Sequence, residues 1–307
     1  MRSHALSCFL LSIPSLSAAL SNSVGQSPSP LTRRDDDNRD VPASGFYDPR
    51  TNGGSFLDNV PNTGGLHEPI NAIILGTSDN IVLIDQQANG GLRNYFQALG
   101  FSGECLGQHQ GAHQQANLGD GNGYLNETAV IRWNYGDPSI GTCKESVIGG
   151  NHFRYWVQDG KNGNSGAVFL AVSYELPSKD NHNIVPNGFN LGRDWLVGNA
   201  TGQPAVIPTN NLTNSSTYSG QTTASDYVYQ TSVQYVSGLL DNSSDGINHA
   251  DTVSVDGQFA IDGLVALLSV NVLQQPTSAT ANSADALTWS AGLLLLASLA
   301  SFAPLLL

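Results

Sequence analysis

The stretch HFRYWVQ at residues 152–158, followed by AVFLAVSYE at residues 167–175, decides the fold of this chain. The first segment alternates apolar with polar or amphipathic side chains, which is the period of a β-strand. The second is a long apolar run, and the glycine- and asparagine-rich residues 161–166 between them indicate a hairpin turn. The two segments predict an antiparallel pair in which one strand face carries His152, Arg154 and Trp156.

Elements with clear patterns surround this pair. Residues 69–76, PINAIILG, indicate a buried strand, and residues 92–99 repeat apolar side chains at helical spacing. Polar segments indicate a long loop at 109–124 and a surface excursion at 209–225. The other predicted elements are a strand at 128–135, a helix that opens after Pro186 and stops at Gly198, and apolar segments at 227–240 and 258–272. This order predicts an α+β fold, a single domain with a mixed, largely antiparallel sheet and a few helices.

Both ends of the chain have the composition of processing signals. An uncharged apolar run follows Arg2 and ends in small residues, as in a secretory signal peptide. The pair Arg33-Arg34 beyond it indicates either a processing site or a charged linker. The predicted organisation is a signal peptide at 1–20, a pro-segment at 21–40, a folded domain at 41–275, a Ser/Thr/Ala-rich linker at 276–282 and a removed attachment signal at 283–307.

The attachment signal is of the glycosylphosphatidylinositol (GPI) type. The last seventeen residues are uncharged and mostly apolar, and small residues at 282–284 precede them after a short spacer. We predict Asn282 as the residue that receives the lipid, with a position near Ser278 as the alternative. A tail-anchored helix is the competing interpretation, but it lacks the flanking cations that such helices carry.

Charge and sequons fit an extracellular glycoprotein. The net charge of −13 makes contact with nucleic acid or anionic lipid headgroups unfavourable, so the only membrane contact that we expect is through the GPI lipid. Acceptor sequons for N-glycosylation follow the signal peptide and predict glycans. These five sequons begin at Asn126, Asn199, Asn211, Asn214 and Asn242.

Cysteine usage indicates one disulfide. Cys8 leaves with the signal peptide, and in an oxidising compartment Cys105 and Cys143 are expected to pair. His109 and His113 have the spacing of a helical metal pair, but the segment is a poor helix and Gln110 replaces the glutamate of zinc peptidases. The sequence therefore predicts no metal site and no cofactor.

The remaining polar residues of the central segment are the candidates for chemistry. His152 and His182 are candidate catalytic groups, because imidazole titrates near neutral pH. The candidate ligand-binding residues are Arg154, Trp156, Arg193 and Asp194. A purely structural role, with ion pairs and hydrogen bonds inside the fold, is the favoured interpretation of this set.

The order of these motifs resembles the LssY-type C-terminal domain of bacterial secretion-linked and membrane proteins. The resemblance covers residues 66–197 and rests on PINAIILG, FQALGF, HFRYW, AVFLAVSYE and HNIVPNGFNLGRD in that order. It implies that the signature residues here are His152, Arg154, Trp156, His182, Pro186, Arg193 and Asp194. Acidic residues usual before the Arg-Asp pair are replaced by Asn190 and Gly192, which disfavours a carboxylate-dependent role. The resemblance implies no particular reaction.

Together these features predict a secreted, N-glycosylated, GPI-anchored protein of the outer plasma-membrane face or the cell wall. Its expected role is binding or structural, with a cell-wall polysaccharide or a small ligand as partner. The alternative is an extracellular hydrolase that uses His152 and His182, with Arg154 or Arg193 binding an anionic group.

Overall fold

The computed structural model describes residues 39–203, 207, 211–255 and 257–276. They form a single α+β domain, which confirms the predicted fold class, and they belong to one compact unit, Asp35–Leu307. Within these ranges, no helix combines the length and the apolar character needed to cross a membrane. The predicted signal peptide, nearly all of the pro-segment, Asn282 and the attachment signal lie outside the described residues.

The described residues contain more strand than helix. The strands are β1 (Leu57–Asn59), β2 (His67–Pro69), β3 (Ala72–Ile74), β4 (Phe101–Gly103), β5 (Gln115–Asn117), β6 (Tyr124–Asn126), β7 (Ala129–Trp133), β8 (Gly150–Val157), β9 (Val168–Glu175), β10 (Thr217–Ala224), β11 (Tyr227–Val236), β12 (Asn242–Ser243), β13 (Ile261–Asp262) and β14 (Val265–Gln274). The α-helices are α1 (Leu92–Ala98), α2 (Gly141–Ile148), α3 (Gly188–Ala200) and α4 (Ala250–Val253).

The main sheet has eight strands in the order β10-β11-β14-β3-β9-β8-β7-β4. All neighbours in it are antiparallel except β14 and β3, which pair in parallel with Ala266 opposite Ala72. The predicted hairpin is confirmed, because Phe153 of β8 lies opposite Val172 of β9. A four-stranded sheet of order β2-β1-β5-β6 and the pair β12-β13 complete the described strands.

Both faces of the main sheet are buried. On one face Phe153 and Tyr155 join a core cluster with Tyr95 and Phe96 of α1, and the Phe96 ring lies edge-on to both strand residues. On the other face Trp156 joins a second cluster, in which β1 and β5 of the small sheet contribute apolar side chains. Apolar layers cover both sides of the main sheet. The polar residues of β8 on the same face as the small sheet are therefore buried as well.

Several expectations for the polar segments are wrong. Residues 209–225 include the regular strand β10, which pairs with β11 along its whole length. Residues 109–124 include β5 and the start of β6 rather than loop alone. Helix α3 continues through Gly198 to Ala200, and α2 was not anticipated, because its sequence GTCKESVI lacks an apolar stripe.

Candidate functional site

Strand register brings the polar residues of three adjacent strands together. Arg132 of β7 lies opposite His152 of β8, and His152 lies opposite Ser173 of β9. Glu175 lies two residues beyond Ser173, so period-two alternation places it on the same face. The sequence therefore folds into a row of charged side chains that runs across the sheet under α2.

We call Arg132, Glu145, His152, Glu175 and His182 the inner cluster. Arg132 Nη1 donates to Glu145 Oε2 at 2.9 Å and lies 3.6 Å from Glu175 Oε2. The two imidazoles contact opposite oxygens of Glu175, with His152 Nε2 3.4 Å from Oε1 and His182 Nδ1 3.5 Å from Oε2. The structure thus joins both candidate catalytic histidines through one carboxylate that sequence reasoning had not singled out.

The ionisation of the inner cluster departs from that of free side chains. Burial lowers the pKa of His152 to about 4, so its imidazole is neutral at neutral pH, and its Nδ1 has no hydrogen-bond partner among the described residues. Burial alone would raise the pKa of Glu175, but His152, His182 and Arg132 together lower it to about 2. Burial raises the pKa of Glu145 to about 7 despite the neighbouring Arg132. Such shifts occur both at functional sites and in structural ion networks.

A second group, the outer cluster, lies farther along the same sheet face. It consists of Glu104, His109, His113, Glu127 and Arg154. Arg154 Nη1 donates to Glu127 Oε1 at 2.7 Å, and His113 Nδ1 lies 3.3 Å from the same oxygen. His109 contacts Glu104 through Nδ1 at 2.9 Å, and its Nε2 lies 3.8 Å from Glu127 Oε1. The predicted ligand-binding residue Arg154 is therefore already paired with a buried carboxylate.

Arg193 lies in a different ionic network from the two histidines. Its guanidinium is fully buried and donates to Asp194 Oδ1 at 2.7 Å and to both oxygens of Asp262 at 2.7 and 2.9 Å. It also donates to the Leu264 carbonyl, and Tyr235 donates to Asp194. With these partners, Arg193 and Asp194 fit the structural role that the sequence favoured, because every edge of the guanidinium is engaged.

Trp156 is also engaged inside the fold. The residue is 3 % exposed, and its indole Nε1 donates to the Leu125 carbonyl at 3.1 Å. This contact ties β8 to β6 of the small sheet, so the indole acts as a packing element rather than as an exposed binding platform.

Two groups of side chains could hold a metal ion among the described residues. One is His109, His113 and Glu127, and the other is Glu145, His152 and Glu175, and within each group one donor atom per residue lies within 4.8 Å of the others. In the inner group the Arg132 guanidinium already lies against both carboxylates. Its positive charge is therefore paired with the negative charge that would attract a metal cation.

No protein-family model, curated protein or solved structure matches this chain. The resemblance to the LssY-type domain therefore stays a prediction, and the site stands on its own geometry. The two histidines named by the resemblance, His152 and His182, both contact Glu175, whereas Arg193 contacts Asp262 in a separate network.

Sequence reasoning missed the acidic half of both clusters. Glu145 comes from the unanticipated helix α2, and Glu127 follows a short strand without a local pattern that marks it. Arg132 could have been identified from the sequence, because the alternation along its strand gives the face on which it lies, and pairing of the strands places it opposite His152. The predicted disulfide Cys105–Cys143 is present and ties the segment after β4 to α2.

Proposed function

We propose that the protein is a secreted, N-glycosylated, GPI-anchored protein of the cell surface or wall that acts by binding an uncharged polysaccharide. The observation that carries the proposal is a cleft of about 890 Å³ along β10, β11 and β14, whose lining among the described residues is uncharged. Hydroxyl and amide groups in it are supplied by Ser44, Thr217, Ser219, Ser232, Gln234, Ser237 and Ser269.

This lining suits a sugar better than an ion. Hydroxyl and amide side chains both donate and accept hydrogen bonds, as the hydroxyls of a glycan require. Phe46, Leu75 and Leu267 form the apolar part of the same cleft. A net charge of −13 on the whole chain would repel an anionic polymer, which further favours a neutral one.

The positions of the sequons support passage through the secretory pathway. Asn126, Asn211, Asn214 and Asn242 are exposed, so a glycan on each would extend into solvent. Asn199 differs, because it lies within α3 and its side-chain nitrogen, the atom that would carry the sugar, is buried. We therefore expect four occupied sites and an unmodified Asn199, instead of the five that the sequence predicts.

Processing is tested by expressing the full-length chain in a eukaryotic secretory host. Each exposed site changed from Asn to Gln should remove one glycan from the mass, whereas Asn199→Gln should change nothing. Phosphatidylinositol-specific phospholipase should release the protein from intact cells. Retention after this treatment, with the tail still attached, would refute the GPI anchor, and an occupied Asn199 would contradict the buried position.

Ligand binding is tested separately with immobilised β-glucan, chitin and mannan. Wild-type protein should be retained on one of these polymers, and Gln234→Ala should weaken retention because it removes an exposed amide from the cleft. Gln221→Ala is the matched control, since Gln221 is an exposed glutamine of the neighbouring strand β10 that lies outside the cleft. Equal retention of the two variants, or no retention of the wild type on any polymer, would refute the polysaccharide proposal.

The hydrolase alternative now depends on fewer residues. His152, Glu175 and His182 are together, but Arg193 donates to aspartates of another network and supplies no anion site beside them. A hydrolase would have to work from His182, the most exposed member, with 34 % of its side chain accessible. Loss of hydrolysis of a screened substrate in His182→Gln, with binding to polysaccharide unchanged, would favour this alternative.

A further inference from the structure

The loop that carries His109 and His113 is held at both ends. On one side the disulfide Cys105–Cys143 anchors the chain just before it, and on the other the Gln114 N–H donates to Glu127 Oε2 at 2.8 Å. Glu104 fixes the middle of the loop by accepting the Gln110 N–H at 3.0 Å. The two imidazoles are therefore positioned by the surrounding structure even though the segment is not helical.

The donor atoms of this loop converge on one buried carboxylate. The imidazole rings stack with centroids 4.2 Å and planes 12° apart, so one exposed ring has to turn out of the stack for both to direct a nitrogen at the same ion. The Glu127 side chain is 1 % exposed. His113 Nδ1 and His109 Nε2 lie 3.3 and 3.8 Å from Glu127 Oε1. Ligands about 2.1 Å from a shared metal are separated by distances of this order.

The partners around these donors favour metal binding. Glu104 Oε2 lies 2.9 Å from His109 Nδ1, which orients the ring and leaves Nε2 directed to Glu127. A carboxylate behind a histidine in this manner is the usual support of a metal-binding imidazole. Arg154 also donates to Glu127 Oε1, and its positive charge opposes a bound cation. Arg132 Nε lies 3.9 Å from Glu104 Oε1, so the two carboxylates balance two guanidinium charges, and the histidine nitrogens supply the neutral donors of the site.

We propose that His109, His113 and Glu127 bind one divalent transition-metal ion of the Zn²⁺ class. Two nitrogens and one oxygen are a borderline donor set that suits Zn²⁺, whereas Mg²⁺ and Ca²⁺ require mainly oxygen ligands. Both histidines reach solvent, with 31 and 55 % of their side chains exposed, so the ion has an entry path and an open coordination position. Glu104 is a positioning residue behind His109.

The proposal goes beyond the polysaccharide cleft, with which this site shares no residue. It also departs from the sequence expectation of no metal. That expectation relied on the helical form of the motif, whereas the structure supplies the third ligand from residue 127, fourteen positions after His113.

Isothermal titration of ZnCl₂ into the secreted protein, purified from cells expressing the full-length chain, tests this assignment. We expect one saturable site per chain, and loss of that site in His113→Asn and in Glu127→Gln. Glu104→Gln should weaken binding by about 10–100-fold without abolishing it, as other supporting carboxylates do. Co²⁺ provides a second readout, because the intensity of its visible absorption reports its coordination number.

His249→Asn is the matched control. It removes an imidazole outside both clusters, at a backbone conformation with φ of 58° that asparagine tolerates. We expect it to bind Zn²⁺ like the wild type. His113→Asn is the decisive variant, because the exposed ring can be lost without disturbing the core, and circular dichroism checks its fold. Absence of saturable binding by the wild type, or equal affinity of the wild type and His113→Asn, would overturn the proposal.

Discussion

Replacing Arg193 by methionine should strongly destabilise the domain. The substitution keeps a long apolar side chain but removes four hydrogen bonds, to Asp194, to both oxygens of Asp262 and to the Leu264 carbonyl. It also leaves the fully buried Asp194 with Tyr235 as its hydrogen-bond donor. Breaking a buried ion pair from one side costs about 3–5 kcal/mol.

That cost is a large fraction of the stability of an ordinary domain, which is about 5–15 kcal/mol. We expect Arg193→Met to be secreted at a reduced level and to unfold at a lower urea concentration. Arg193→Lys keeps the charge but loses the two parallel bonds to Asp262, so its cost should lie between those of the wild type and Arg193→Met. Asp262→Asn should cost less, about 1.5–3 kcal/mol, since 28 % of that side chain is exposed.

The measurement is urea unfolding of the secreted proteins, followed by tryptophan fluorescence and extrapolated to zero denaturant. A double-mutant cycle between Arg193→Met and Asp262→Asn isolates their coupling, which contacting charges give as about 0.5–3 kcal/mol. A cost below about 1 kcal/mol for Arg193→Met would refute the structural role. If stability were unchanged and ligand binding were lost, Arg193 would instead be a functional residue.

Two further perturbations test the disulfide and the inner cluster. The double substitution Cys105→Ala/Cys143→Ala opens a loop spanning 38 positions and should cost about 4 kcal/mol in the chain-entropy model, measured by the same unfolding assay; no change would show that the unfolded chain is already restricted. Glu145, with its pKa raised from 4.5 to about 7, binds a proton in the folded state that the unfolded state has lost, so its contribution to stability decreases as pH rises between those values. The free energy of unfolding of Glu145→Gln should therefore rise relative to that of the wild type by up to about 1.4 kcal/mol per pH unit between pH 5 and 7. His152, with its pKa lowered from 6.5 to about 4, has the opposite sign, and its contribution is lost as pH falls through that window. The free energy of unfolding of His152→Gln should accordingly decrease relative to that of the wild type as pH rises from 4 to 6.5. Parallel pH profiles of stability for either variant and the wild type would contradict the assigned ionisation.

The part of the fold that follows local patterns was predictable from sequence. Strands β8 and β9 alternate or run apolar over eight residues each, and a short polar turn joins them, so the hairpin and its two faces follow from spacing alone. The β10 strand was missed because its Ser, Thr and Gln residues lack an apolar face, and its pairing with β11 determines its structure instead.

The candidate site was only half predictable, for a related reason. The spacing of His152 and Arg154 predicted a polar strand face. Their partners Glu175 and Glu127 become neighbours only through pairing across strands and between sheets. The partner of Arg193, Asp262, lies 69 positions later in the chain, a distance over which no periodic pattern is informative. Carboxylates brought together in this way can be identified from the folded structure but not from the spacing of residues in the sequence.

The parallel pairing of β14 with β3 also has a kinetic consequence for biosynthesis. These strands are adjacent in the sheet, yet the Val270 N–H finds its acceptor on Ser78, 192 positions earlier. A ribosome adding about 5–20 residues per second needs roughly 10–40 s to cover that separation. During this delay the edge of β3 that later pairs with β14 is unfilled. The two parts of the main sheet join only after β14 has been synthesised, so they stay separate for most of the synthesis of the described domain.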